Sequence, residues 1–237
     1  MSMTQSLRAP MIGAAFAGAA LFATAQVNAG TVLIDGFEDV PSVTTNGGGV
    51  PVSDSYVPST AAIGSSAMVT VTPVPPEVEA SVQAASQGDN TIAALSADFG
   101  GAPTFVFAYE LDEPLDLTDF TDFELDIFSL TGEGETPNVD FTVAVSSDGE
   151  NFADLTNNFG DPDGNGVLSF FLFDFAGLFG DDTVDETAVT DIVLTISTNS
   201  EADDFAIDNF RLTVVPSPTA ASFGALGLIA LVGRRRK

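Results

Sequence analysis

The sequence predicts an all-β domain, an antiparallel β-sandwich of jelly-roll type, flanked by an N-terminal signal helix and a C-terminal hydrophobic helix. Between residues 31 and 214, short runs rich in Val, Thr, Phe and Ile alternate with clusters of Gly, Asp, Asn and Pro, a pattern typical of strands and turns. No long run has the period of an amphipathic helix. The chain has 20 Phe and no Trp, which indicates a Phe-lined core between two sheets.

The strongest strand candidates have apolar residues at every second position. Phe105, Phe107 and Tyr109 follow this rule, so their side chains are predicted to face the core together. Seven runs indicate strands, and about ten strands fit the sequence in all. The seven runs are residues 68–74, 104–109, 122–128, 139–145, 167–175, 192–197 and 205–214.

Two stretches between these runs have a composition of their own. Residues 40–87 are rich in Ser, Thr, Val, Pro and Gly, which favours edge strands and long loops. Residues 147–150 are Ser-Asp-Gly-Glu, and Asp-Gly accepts the positive φ that tight hairpins require. We therefore expect a hairpin between a strand that ends near Val145 and a short strand near Phe152.

A tetrapeptide of the form Ile-Asp-x-Phe occurs near each end of the domain, at residues 34–37 and 207–210. Ile and Phe are three positions apart, so each strand needs a bulge to keep both side chains facing the core. We expect the two segments on neighbouring strands, with Gly36 and Asn209 at the bulges because these residues accept left-handed backbone. The Asp of each tetrapeptide is expected to point away from the core.

The matching tetrapeptides at the start and end of the domain resemble those of exported bacterial β-sandwich domains built like carbohydrate-binding modules, whose first and last strands lie together. The phrase Leu-Asp-Leu-Thr-Asp-Phe at residues 115–120 and the phrase Phe-Glu-Leu-Asp-Ile at residues 123–127 are also similar to that group. The resemblance spans most of the domain, and it supports the predicted β-sandwich.

The N-terminus has the features of a secretory signal peptide. Arg8 precedes an Ala-rich apolar stretch at residues 11–25, and Val-Asn-Ala follows as a cleavage site. An N-terminal membrane helix is the alternative, but the apolar stretch is shorter than the roughly 20 residues that a span needs. We expect residues 1–29 to be a removable signal peptide and residues 30–215 to form the domain.

The C-terminal segment, residues 216–237, has three parts. Pro-Ser-Pro precedes an apolar run of small residues at 220–233, and Arg-Arg-Arg-Lys ends the chain, an order that anchors a domain outside the membrane by the positive-inside rule. This tail resembles the PEP-CTERM sorting signal, although Ser217 stands where the named motif has Glu. The resemblance implies an exosortase-type sorting enzyme and the inner membrane as partners. A short anchor without processing is the alternative.

The charge of the domain restricts its partners. All 34 acidic residues of the chain lie between Asp35 and Asp208, and Arg211 is the one basic residue of the expected domain, so its formal charge is 1 − 34 = −33. Such a surface repels nucleic acid and anionic lipid. It suits a protein outside the cell, where counterions screen its self-repulsion.

The chain contains neither Cys nor His. This composition excludes disulfides, thiolate and imidazole metal sites, and nucleophile systems that depend on Cys or His. Most common catalytic chemistry is thereby removed, and we expect no enzyme.

One candidate Ca²⁺ site lies in the sequence Asp-Pro-Asp-Gly-Asn-Gly at residues 161–166. Asp161, Asp163 and Asn165 occupy the first, third and fifth positions of a Ca²⁺ loop, with Gly at the sixth. The twelfth position holds Leu172 in place of Glu, so another carboxylate would have to complete the site. A solvated turn is the alternative.

A second candidate Ca²⁺ site joins the two ends of the domain. Glu38 and Asp39 follow the first strand, and Asp208 lies on the last, where sandwiches of similar appearance often carry a structural Ca²⁺. A solvated acidic edge is the alternative.

Three functions remain open from the sequence. The leading one is an exported surface or matrix protein with a structural or adhesive β-sandwich, and the second is a carbohydrate-binding module for an extracellular polysaccharide. Sugar platforms generally use exposed Trp or Tyr, and only Tyr56 and Tyr109 are available here. A glycoside hydrolase with paired carboxylates is the third and least favoured.

Overall fold

The computed structural model describes residues 30–46, 48–74, 79–88, 90–97, 102–129, 139–159, 166–172, 184–198 and 205–214. These residues belong to one compact unit, in which two antiparallel sheets pack face to face. The prediction of an all-β antiparallel sandwich is confirmed. The expected signal helix and C-terminal helix lie outside the described residues. Of the helical structure that is described, none is long and apolar enough to span a membrane.

The described ranges form thirteen strands and one 3-10 turn at Leu117–Asp119. The strands are β1 (Thr31–Asp35), β2 (Val43–Thr44), β3 (Val52–Tyr56), β4 (Ser65–Thr72), β5 (Ala80–Gln87), β6 (Asn90–Ala97), β7 (Thr104–Leu115), β8 (Phe120–Ser129), β9 (Val139–Ser146), β10 (Ala153–Phe159), β11 (Gly166–Phe171), β12 (Val189–Thr198) and β13 (Phe205–Val214).

The order of strands places β13 at the centre of one sheet and β12 and β7 at the centre of the other. The seven-stranded sheet has the order β11-β8-β13-β6-β5-β2, and β1 also pairs with β13. The six-stranded sheet has the order β10-β9-β12-β7-β4-β3. Strands β6 and β1 pair with the same edge of β13. Residues 205–207 of β13 pair with β6, and residues 210–213 pair with β1.

Each of the seven predicted runs corresponds to a strand, although the run 68–74 extends two residues beyond β4, which ends at Thr72. The run 167–175 corresponds to β11, which ends at Phe171, and residues 173–175 lie outside the described residues. In residues 40–87 the prediction of edge strands holds for β2 and β3, which lie at the edges of their sheets. Strands β4 and β5 from the same stretch lie inside their sheets, paired on both sides.

The core between the sheets is lined with Phe, as the composition predicts. The ring of Phe205 on β13 contacts Phe105 and Phe141 of the opposite sheet in edge-to-face geometry, with ring centroids 6.4 and 6.2 Å apart. Phe37 contacts Phe107 in the same way at 5.3 Å. These pairs connect the two sheets directly.

The hairpin predicted at residues 147–150 is present. Strands β9 and β10 pair in antiparallel register, with Ala153 opposite Val145, and Gly149 in the turn has φ of +73°. The second strand begins at Ala153 and has seven residues, so it is longer than the short strand that the sequence predicts.

The two Ile-Asp-x-Phe segments lie on neighbouring strands, as predicted, because β1 pairs with β13 along Thr31 to Asp35. The Ile and Phe of both segments are fully buried. Register shifts interrupt both strands at these segments, and Asn209 has the expected positive φ of +49°.

Two details of this prediction are wrong. Phe37, and not Gly36, has the left-handed backbone, with φ of +59°, because its N–H donates to Asp35 Oδ1 at 2.7 Å and closes a local turn. Asp35 faces the core and is 1% exposed, since two tyrosine hydroxyls of the other sheet reach it. Asp208 is opposite Asp126 on the outer side of its sheet, but it is only 4% exposed.

Candidate functional site

The outer face of the six-stranded sheet carries small and polar side chains in rows that run across the strands. The hydroxyls of one row bond to each other: Ser53 Oγ lies 2.8 Å from Thr70 Oγ1, and Thr142 Oγ1 lies 2.7 Å from Thr156 Oγ1. This row therefore presents a polar surface without bulky side chains. In strand order it consists of Ser53, Thr70, Val106, Thr195, Thr142 and Thr156.

An open depression of about 380 Å³ lies beside this row. Met68 and Phe152 line it, and each is 44% exposed, so the depression offers apolar surface to a ligand. The other residues that line it are Ser55, Ser66, Ala67, Ala108, Tyr109, Glu110, Asp191 and Val193, of which Ala67 and Tyr109 are buried.

Two carboxylates lie side by side in the depression. Glu110 on β7 is directly opposite Asp191 on β12, and Asp191 Oδ2 accepts a hydrogen bond from Thr190 Oγ1 at 2.7 Å. Neither has a salt-bridge partner among the described side chains. Like charges on opposite positions of a sheet are unfavourable, so we expect this pair to add no stability to the fold while it offers acceptors to hydroxyl or amino groups.

Phe152 is held by the β9–β10 turn. Asp148 Oδ1 accepts from the N–H groups of Glu150 and Asn151 at 2.9 and 2.8 Å, and Asp148 Oδ2 accepts from Asn151 Nδ2 at 2.7 Å. These hydrogen bonds keep the pKa of Asp148 well below its usual range, and the two bonds from backbone N–H groups have the largest effect. The residue before Phe152 is thereby fixed at both its backbone and its side chain.

A bulge in β7 borders the depression. The pair Glu110–Asp191 is followed by the pair Leu115–Val189, so four residues of β7 lie opposite the single residue Thr190 of β12. Bulges are common beside binding sites, because they redirect side chains and end regular pairing.

Tyr109 is among the residues that line the depression, but the hydroxyls of both tyrosines bond to Asp35. Tyr109 is 1% exposed, as the sequence predicts, and its hydroxyl donates to Asp35 Oδ2 at 3.0 Å. The hydroxyl of Tyr56 donates to the same oxygen. Burial raises the pKa of Asp35 to about 6, against the opposing effect of these bonds and of the Phe37 N–H, and burial together with Asp35 raises the pKa of both tyrosines.

The three residues of the second predicted Ca²⁺ site have different partners. Asp39 Oδ2 accepts from the N–H of Ser59 at 2.7 Å, and hydrogen bonds from Ser59 lower the pKa of Asp39. Glu38 Oε2 accepts from Thr60 Oγ1 at 2.7 Å. Burial raises the pKa of Asp208 to about 6, and the charges of Asp126 and Glu38 add to this rise.

The first predicted Ca²⁺ site, with Asp161, Asp163 and Asn165, lies outside the described residues. Within the described ranges no group of three or more acidic side chains is arranged to hold a metal ion. Both Ca²⁺ sites remain predictions.

No family model and no curated protein matches the chain. It is similar to the family 11 carbohydrate-binding module from Clostridium thermocellum, solved with a beta-1,3-1,4-mixed-linked tetrasaccharide, at 15% identity over 78% of this chain and 96% of that chain, with a TM-score of 0.45. It is also similar to a family 30 module of a cellulosomal cellulase from Clostridium thermocellum, at 14% identity over 78% and 97%, with a TM-score of 0.43. Likeness of this degree concerns overall shape and carries nothing about a ligand of this chain.

The sequence did not reveal the residues that line the depression. Phe152 follows a predicted hairpin turn, but whether it faces the core or solvent depends on the register of β9 and β10. Alternation along the strand does indicate that the side chain of Glu110 points outward, because the side chain of the preceding Tyr109 is buried. This is the local signal in the sequence for an outward carboxylate.

Proposed function

We propose that this chain is an exported, non-catalytic surface protein whose β-sandwich binds an extracellular polysaccharide on the outer face of its six-stranded sheet. One observation carries the proposal: an open depression that combines the exposed ring of Phe152 with the paired acceptors Glu110 and Asp191. Adhesion to a matrix polysaccharide is then the adhesive role that the sequence predicts.

The chemistry of the depression suits a sugar chain. A sugar ring has C–H groups on its faces and hydroxyls around its edge, so it requires an apolar platform and acceptors beside it. Phe152 and Met68 supply the platform, and Glu110 and Asp191 supply charge-assisted acceptors, which are stronger than neutral ones. The small residues Ala108 and Val193 leave room for the chain between them.

The charge of the domain narrows the class of polysaccharide. Arg211 is the one basic residue of the expected domain, and it lies on the other sheet, bonded to Glu124 and Asp126 at 2.9 Å each. Uronic acids and sulfated sugars would approach two carboxylates without a compensating cation. Neutral polysaccharides, or those with free amino groups, fit the depression better.

Export and sorting belong to the same proposal. The signal peptide delivers the domain across the inner membrane, and the tail at residues 216–237 presents it to an exosortase-type enzyme or anchors it. Structural Ca²⁺, held by residues 161–165 or by Glu38, Asp39 and Asp208, would offset part of the acidic charge.

Affinity electrophoresis of the mature domain tests the function. Gels containing a neutral β-glucan, chitosan or alginate should show retardation in the first or second, and none in alginate. Phe152→Ala should weaken binding about tenfold, equivalent to about 1.4 kcal/mol. Phe171→Ala is the matched control, because Phe171 is 55% exposed on the edge strand β11 of the other sheet.

Three results would contradict the proposal. Equal losses of polysaccharide affinity from Phe152→Ala and Phe171→Ala would show that the site lies elsewhere. No retardation in any gel would show that the domain has a structural role without glycan binding. Release of reducing sugar ends by the domain, abolished by Glu110→Gln or Asp191→Asn, would show a hydrolase instead.

A further inference from the structure

A second depression, of about 410 Å³, follows the first along the same two strands. On the β4 side, the first depression is lined by residues 66–68 and the second by residues 62–64. On the β7 side, residues 108–110 line the first and residues 112–115 line the second. The two depressions are therefore neighbours, and the β7 bulge lies where they meet.

The outer face of the six-stranded sheet continues from the first depression to Gly64, at the near end of the second. Ser65 and Ala67 of β4 are buried, so alternation places Gly64, Ser66 and Met68 on the outside. The carboxylate of Asp112 lies over Gly64, in the space that a Cβ would occupy, and the Asp112 N–H donates to the Gly64 carbonyl oxygen at 2.9 Å. Any larger residue at position 64 would displace this carboxylate, which lies at the junction.

We propose that the two depressions form one binding path for a single polysaccharide chain, with Asp112 as an acceptor at the junction. From Met68 to Gly64 the path follows four residues of strand, or about 13 Å, which exceeds the length of one sugar unit. Short oligosaccharides occupy the first depression alone, and longer ones extend over Gly64 towards Leu115. This inference rests on the proposed function, because it extends the same site.

The absence of Trp from the chain makes a direct test possible. A single introduced Trp is then the only indole, and its fluorescence reports contact with sugar at one position. Phe152→Trp reports on the first depression. Ala62→Trp reports on the second, because Ala62 is an exposed residue of its lining. Val50→Trp is the control, since Val50 is 68% exposed and lines neither depression.

The probes are a short and a long oligosaccharide from mixed-linkage β-glucan and the same two lengths from chitosan. With the series that binds, the Trp at position 152 should respond to both lengths, the Trp at position 62 only to the long one, and the Trp at position 50 to neither. The long probe should bind the unmodified domain about tenfold more tightly than the short probe. Asp112→Ala should remove most of this gain and leave the short probe unaffected.

The outcomes separate this inference from the proposed function. A response at position 152 with none at position 62 would overturn the single path and leave the function standing. Equal responses at position 62 to short and long probes would show two independent sites, which also overturns it. No response at any position, from either series, would remove the proposed function and the path together.

Discussion

The two outer faces of the sandwich differ in whether their carboxylates are paired with a cation. On the seven-stranded sheet, Arg211 bonds to Glu124 and Asp126, and its side chain is 18% exposed. On the six-stranded sheet, Glu110 and Asp191 lie opposite each other without such a partner among the described residues. The protein neutralises charge on one face and leaves it for solvent or a ligand on the other.

This difference indicates where stability and binding reside. A carboxylate that the protein pairs itself is occupied, so its loss should change the free energy of unfolding. A carboxylate pair that adds no stability is explained more readily by a ligand than by folding. Mutations on the two faces should therefore separate into those that change stability and those that change affinity.

The largest expected effect on stability comes from Asp35, which belongs to the seven-stranded sheet and faces inward. Its pKa in the folded state is raised to about 6 from 3.8. The folded state therefore favours the protonated carboxyl of Asp35. The free energy of unfolding is highest below about pH 4, and it falls by about 3 kcal/mol as the pH rises through about 6. Urea denaturation from pH 4 to pH 7 measures it. Asp35→Asn should reduce the slope and leave the smaller contribution of Asp208, whose pKa is also raised to about 6, and an unchanged slope would contradict the assignment.

Arg211→Met is expected to have the next largest effect. It leaves Glu124 and Asp126 without their shared cation in a partly buried position, and we expect a loss of about 2 kcal/mol in the free energy of unfolding. Glu110→Gln on the other face should not destabilise the domain, because it removes a repulsion. Thermal unfolding of both variants tests the comparison, and polysaccharide affinity should change only for Glu110→Gln. The reverse pattern would exchange the roles of the two faces.

A smaller effect is expected from the turn that holds Phe152. Asp148→Ala removes the acceptor for four hydrogen bonds and should weaken polysaccharide binding several-fold, by letting the ring move. Asp185→Ala is the matched control, because Asp185 caps Thr187 with the same kind of bond at 3.0 Å in a different turn. If both variants lower the melting temperature but neither changes affinity, the turn has only a structural role.

The sequence predicted the sandwich because period-two alternation is a local property. It also placed β1 beside β13, since the repeated tetrapeptide carries the same slip in apolar phase at both ends. The direction of Asp35 depends on Tyr56 and Tyr109, which lie 21 and 74 positions away, and no local pattern contains that information. The depression likewise requires four strands in register, so its lining emerges only when the sheet is assembled.

The smallest expected effect concerns Ca²⁺ at the seven-stranded side. The charges of Asp126 and Glu38 raise the pKa of Asp208, which is nearly buried, so an ion that binds only the folded state would relieve this repulsion. Millimolar Ca²⁺ should raise the unfolding midpoint more than NaCl of equal ionic strength, by an amount equivalent to less than about 1 kcal/mol. Asp208→Asn should remove the difference if this site binds the ion, whereas Asp163→Asn should remove it if the loop at residues 161–165 does. Equal midpoints in both salts would leave only general screening, and the acidic surface would then be adapted to salt and not to a specific ion.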